Sequence, residues 1–258
     1  MRFSILTTSV TQDASPDPGT CPDLSRFIAE NNISCASISN DNAAVERAPG
    51  ATTLASEVGH ELDKLGLKYT CAEIPDPNDA RRPAIEDRRE LALLVQLPVL
   101  GMVSPRPPVA DSADRNVPIV GVRLALAPDM AIDIYSVRYA PAISSELLRF
   151  VDESLGSFEQ QWEHDHRRHS RGRPFTHARF SGPETRMVAV AVHAISVGDA
   201  GPDGAMADNG FVAATFGEKV ADRMYLKPAI KPTQQRVVEI PATSGYSPVI
   251  AALAVFEV

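Results

Sequence analysis

Residues 117–140 hold the feature that most limits the fold. In VPIVGVRLALAP (117–128), Val120, Val122, Leu124 and Leu126 recur at every second position, as a strand with one buried face requires. MAIDIYSVRYA (130–140) follows almost at once. Strands this close in sequence can pair only antiparallel, because a parallel pair needs a crossover of roughly a dozen residues or more. Pro128-Asp129 is then the turn of a hairpin. A chain built round such a hairpin is a sheet protein.

Other runs read the same way. Arg2–Val10 is a strand, and Ile33–Ile38 is a second one. LKYTCAEI (67–74), the apolar run 91–103, RMVAVAVHAISV (186–197), FVAATF (211–216), RVVEI (236–240) and PVIAALAVFEV (248–258) follow. Residues 91–103 start ambiguously between helix and strand. Helices are fewer. Pro22 opens one, and 51–65 is a second with Leu54, Val58, Leu62 and Leu65 on one stripe, stopped by Gly66. The longest is expected over about 144–169, where Leu148, Val151, Leu155, Phe158 and Trp162 recur three and four apart. Proline (21) outnumbers glycine (15), which favours stiff connections over long helices.

The expected fold class is α+β. A mostly antiparallel sheet carries the 144–169 helix on one face, preceded by a small β-α-β-like N-terminal element. A doubly wound α/β fold is the alternative, disfavoured because the later strands look too closely spaced for helical crossovers. A single domain over 1–258 is expected. The breaker-rich stretch 75–83 marks possible subdomains, 1–82 (α/β and acidic) and 83–258 (strand-rich).

No run approaches the roughly 18 apolar residues of a membrane helix, and MRFSILTTSV reads as a strand rather than a leader, so the expected location is cytoplasmic with no membrane partner. Three cysteines, Cys21, Cys35 and Cys71, do not make a disulfide framework. The net charge of −8 argues against general nucleic-acid binding, since phosphate contact needs basic surface. Charge is uneven, however. Residues 13–64 hold nine Asp/Glu against three Lys/Arg, whereas 164–179 hold five Arg against one Asp.

That basic island, HDHRRHSRGR (164–173), is the main chemical candidate. It is similar to the H-x-H-x-D-H string of metallo-β-lactamase-like hydrolases. Arg168 stands where that string has Asp, and a helix precedes it, so the family is not carried over. On a helix His166 and His169 share a face with Trp162, and Glu163 lies three residues before His166. His166, His169 and Glu163, with His177 or His193 from elsewhere, could therefore hold a divalent metal, the one cofactor the sequence suggests. His166 and His169 could equally serve as general acid and base. Arg167, Arg168, Arg171 and Arg173 could clamp a small anionic molecule or an acidic protein surface. Cys21, read as the helix N-cap, is a candidate nucleophile because a helix N-terminus lowers a thiol pKa. The loop GDAGPDGAMADNG (198–210) lacks two ligand positions of a calcium loop. His193, alone in an apolar strand, reads more readily as a satisfied core histidine.

The expected function is a cytoplasmic enzyme, a hydrolase or lyase acting on a small anionic substrate, with nucleic acid disfavoured. The alternative is a non-catalytic protein that docks an acidic partner or a second copy of itself through the Arg-rich segment.

Overall fold

A computed structural model describes residues 2–10, 20–40, 53–74, 90–103, 119–127, 130–138, 185–193, 203–214, 216, 222–227, 231–241 and 249–257. Its strands are β1 (Arg2–Val10), β2 (Cys35–Asn40), β3 (Thr70–Ile74), β4 (Glu90–Val95), β5 (Val99–Val103) and β6 (Ile119–Ala127). They continue as β7 (Met130–Arg138), β8 (Thr185–His193), β9 (Val212–Ala214), β10 (Arg223–Leu226), β11 (Gln234–Ile240) and β12 (Val249–Glu257). The described helices are short: α1 (Thr20–Glu30), α2 (Leu54–Lys64) and α3 (Asp203–Asp208).

The strands form two six-stranded sheets, in the orders β11-β12-β1-β2-β4-β3 and β5-β6-β7-β8-β10-β9. Each is mixed in the same way. A parallel pair lies at the centre, β1 with β2 in the first sheet and β7 with β8 in the second, and every other pairing is antiparallel.

The sheets pack face to face, and strand periodicity decides what meets. Phe3, Ile5, Cys35, Leu93, Val95, Ala252, Ala254 and Phe256 from the first sheet join Val122, Leu124, Ile132, Ile134, Met187, Ala189 and Met224 from the second in one buried cluster. The alternate residues of the first sheet, such as Leu6, Val10, Ala36 and Leu253, turn outward against Leu24 and Ile28 of α1 and Val58 and Leu62 of α2. On the outer face of the second sheet, Tyr135, Val137, Val190 and Tyr225 pack with Met206 of α3.

Local signals explain the helix ends. The Thr53 side chain caps α2 by accepting from the Ser56 amide, and Glu57 lies in its first turn. Gly66 follows the last turn with φ of 79°, a left-handed conformation that favours glycine.

The expected architecture is corrected by these sheets. There is not one mostly antiparallel sheet but two mixed sheets stacked on each other, and neither is the all-parallel sheet of a doubly wound fold. The reason lies in the connections. The predicted hairpin is real, with β6 and β7 antiparallel in register Val122↔Ile134 and Leu124↔Ile132. The next described strand, β8, however, is separated from β7 by residues 139–184, ample chain for a crossover, and lies parallel to it. The expected 144–169 helix falls outside the described residues. The run 91–103 divides into β4 and β5, which belong to different sheets. Part of the expected loop 198–210 forms α3, and β10 had no reading in the sequence.

Phe3 and Phe256 face each other across β1 and β12, with ring centroids 5.8 Å apart, and both are fully buried. Phe256→Ala should destabilise the protein by about 3–5 kcal/mol, through lost burial plus a cavity at the sheet–sheet contact. Val237→Thr on the exposed edge strand β11 should change stability by less than about 0.5 kcal/mol. Denaturant midpoints of the two variants check this.

Candidate active site

The inward faces of the central strands change character along their length. On β1 the sequence runs Phe3, Ile5, then Thr7, Ser9, and on β2 it runs Cys35, then Ser37, Ser39. On β7 it runs Ile132, Ile134, then Ser136, Arg138, and on β8 Met187, Ala189, Ala191, then His193. Because β1 and β2 are parallel, and β7 and β8 likewise, all four become polar at their C-terminal ends. Antiparallel β10 begins at this same end, immediately after Asp222. The result is a buried polar layer at one edge of an otherwise dry interface.

His193 is its centre. The ring is 1% exposed and is contacted at both nitrogens. Nδ1 lies 3.1 Å from the Ser9 hydroxyl and 3.3 Å from Asp222 Oδ1. Nε2 lies 2.8 Å from the Ser37 hydroxyl and 3.2 Å from that of Ser136. The two serine hydroxyls are 2.7 Å apart.

Proton counting gives this network a direction. The Ser9 hydroxyl donates to Asp222 Oδ1 at 2.6 Å, and a carboxylate only accepts. Ser9 has one proton, so it offers Nδ1 a lone pair. Both neighbours of Nδ1 are thus acceptors, and the neutral ring must carry its proton there. Nε2 is then the accepting nitrogen, supplied by Ser37, which in turn can accept from Ser136.

Arg138 adds a buried cation at the same strand ends. Its Nη2 donates to the Ser39 hydroxyl at 2.8 Å and to the Asn40 carbonyl at 3.3 Å. Burying a guanidinium is costly unless it is hydrogen-bonded, and such a charge acts more strongly there than in water. The Thr7 hydroxyl, buried in the same layer, has no hydrogen-bond partner among the described residues.

The carboxylates nearest this layer have structural work. Glu90 Oε2 accepts from the Leu54 amide at 2.9 Å, capping α2, and from Asn40 Nδ2 at 3.3 Å. Glu73 accepts from the Thr53 hydroxyl at 2.5 Å and from the Ser56 hydroxyl. Cys71 lies 3.7 Å from Glu73, and its thiol is pushed up to about 12, first by burial and then by the charge and hydrogen bond of Glu73 and the charge of Glu90. Burial alone raises the Cys35 thiol. Neither is an activated thiol. Among the described residues, no three His, Cys, Asp or Glu side chains group closely enough to hold a metal.

Most of the sequence candidates lie outside the described residues: Glu163, His166, His169 and His177, with Arg167, Arg168, Arg171 and Arg173. The two candidates within them are Cys21 and His193. Cys21 lies inside the first turn of α1, which begins at Thr20, rather than at the N-cap. His193 is the buried centre just described. Its partners Ser9, Ser37, Ser136 and Asp222 had no reading in the sequence. The available signal was weak: serines replacing apolar residues at the C-terminal ends of inward-facing strands.

The fold is a stack of two mixed sheets with a polar layer at the carboxyl ends of both parallel pairs. Solved endonuclease/exonuclease/phosphatase proteins share it. The chain is similar to such a protein from Bacteroides vulgatus, with a TM-score of 0.63 and 10% identity over 100% of this chain and 99% of that one. A member from Leptotrichia buccalis C-1013-b gives 0.62 and 10% over 99% and 100%. D. rerio TDP2 complexed with a single-strand DNA product gives 0.55 and 10% over 100% and 99%. No protein-family model and no curated protein matches the chain.

The likeness to TDP2 overturns the expectation that nucleic acid is disfavoured, since a chain of this fold holds single-strand DNA. The physical reason is that phosphate responds to the local field of a site rather than to a net charge of −8 summed over the molecule. Among the described residues, no helix is long and apolar enough to cross a membrane.

Two measurements check this geometry. In 15N spectra, the neutral His193 ring should carry its proton on Nδ1, and an Nε2-protonated ring would contradict the derived direction. Glu73→Gln should let Cys71 alkylate at lower pH than in the wild type, because a raised thiol pKa falls when the adjacent charge is removed. Mass spectrometry of iodoacetamide adducts across a pH series reads this out.

Proposed function

We propose that the chain is a hydrolase of phosphate esters in nucleic acid, acting at the C-terminal ends of the two parallel strand pairs. The observation that carries this reading is the Asp222–His193 contact at this edge, with Arg138 in register beside His193 across β7 and β8. Asp222 would take up the proton, and the Nδ1–H of His193 stabilises its carboxylate and fixes its direction. Arg138 supplies positive charge that favours a phosphate and the charge developing on it. Its guanidinium stays charged at any working pH. The kinship in fold with endonuclease/exonuclease/phosphatase proteins and with TDP2 supports the reading.

The basic segment 164–173 fits the same function. Arg167, Arg168, Arg171 and Arg173 would grip the phosphate backbone beyond the reacting group. The anionic substrate expected from the sequence then need not be small. His166, His169, Glu163 and His177 remain the proposed ligands of a divalent metal on their spacing, and elemental analysis of His166→Ala/His169→Ala beside the wild type tests that role.

The central test is cleavage of a 5′-labelled single-stranded DNA oligonucleotide, with and without added divalent cation. The wild type should cleave it. His193→Ala should lower kcat by roughly 10²–10⁴-fold with little change in KM. A folded wild type without cleavage, or a His193→Ala variant at wild-type rate, would refute the proposal.

A further inference from the structure

We propose that Asp203 of α3 is a positioning residue for Asp222, acting through Arg223 from the outer face of the second sheet. The inference rests on the hydrolase reading and goes beyond it by naming what aims the Asp222 carboxylate at His193.

Strand alternation sets up the relation. Asp222 reaches the polar layer between the sheets, where it contacts His193 and Ser9. Met224 and Leu226 point to the same inner face, so Arg223 and Tyr225 point outward. Both grip one carboxylate there. The Tyr225 hydroxyl donates to Asp203 Oδ1 at 2.6 Å, and Arg223 Nη1 donates to Asp203 Oδ2. With both oxygens engaged, the Asp203 carboxylate is held against rotation.

Asp222 needs such an anchor because of where it stands. It immediately precedes β10, a strand of four residues, Arg223–Leu226. Arg223 pairs with Val192, the neighbour of His193. In the described pairings β9 reaches Leu226, Tyr225 and Met224 but not Arg223. The end of β10 nearest Asp222 is thus the less supported one, and such ends open first. Asp203 ties it to a packed body. Met206, one turn along α3, is fully buried against the outer face with Tyr225. The Phe211 amide donates to the Met206 carbonyl at 3.0 Å and closes the unit. The Arg223–Asp203 ion pair is itself partly exposed, so it adds little to overall stability. Its effect is on direction: it fixes the residue from which the Asp222 carboxylate is aimed.

Asp203→Asn keeps an oxygen for the Tyr225 hydroxyl and removes the charge that Arg223 meets. Asp208→Asn removes the same charge from the exposed other end of α3 and serves as the control. The His193 Nδ1 proton, followed by NMR without any substrate, is the first readout. In Asp203→Asn it should exchange with water roughly tenfold faster than in the wild type, as the Asp222 contact opens more often. In Asp208→Asn it should be unchanged. Cleavage of the labelled DNA oligonucleotide is the second readout. In Asp203→Asn kcat should fall roughly 10–100-fold with KM unchanged, because a displaced reacting group costs rate rather than affinity. Denaturant midpoints should stay at the wild-type value in both variants. Arg223→Gln breaks the same ion pair from the strand and should reproduce both changes. A wild-type Nδ1 proton in folded Asp203→Asn or Arg223→Gln would overturn the proposal, as would equal effects from Asp208→Asn. An altered Nδ1 proton in a protein that cleaves no DNA would support the positioning role and refute the hydrolase reading.

Discussion

Parallel pairing makes two neighbouring strands end on the same edge of a sheet. In this protein it happens once in each sheet, between β1 and β2 and between β7 and β8. The stacked sheets place the two pairs together, so four strand ends share one edge. Ser9, Ser39, Arg138 and His193 are the last or next-to-last residues of those strands. Antiparallel neighbours start where the parallel strands stop, which brings Asp222 to the same place ahead of β10. Ligand sites of sheets with parallel strands favour the carboxyl edge for this reason: backbone direction collects side chains from separate strands there.

The dry part of the interface supports the polar part. Phe3, Ile5, Ile132, Ile134 and Phe256 bury apolar surface that stabilises the sheet–sheet contact. The polar layer costs stability unless its donors and acceptors are matched. His193 is matched at both nitrogens, and the serines around it are small enough to reach it without opening the stack. The same low-polarity surroundings strengthen each hydrogen bond and hold the imidazole in one orientation.

Strands were the most legible part of the chain. The alternation of Val120, Val122, Leu124 and Leu126 and the short Pro128-Asp129 link specified an antiparallel hairpin by local geometry alone. The β1-α1-β2 opening was similarly readable, because a helix between two strands is a crossover. The same logic applied to residues 139–184 points to parallel β7 and β8. Reading the expected 144–169 helix only as a cover for one sheet left out the crossover that a parallel β7–β8 pair requires. The site was nearly illegible. Ser9, Ser37, Ser136, His193 and Asp222 come from five places along the chain, and no spacing links them. The conspicuous cluster at 164–173 drew notice because its residues are consecutive.

The sequence by itself determined most of the strand segments and, where alternation was clear, which of their faces are apolar. These follow from periodicity and side-chain chemistry, which are local. Only the tertiary structure decided which strands share a sheet, that two sheets rather than one would form, and that Asp222 and Ser9 would meet His193. Those contacts depend on long-range pairing and on the stacking of whole sheets, so their physical cause lies in the summed burial of many apolar side chains rather than in any motif.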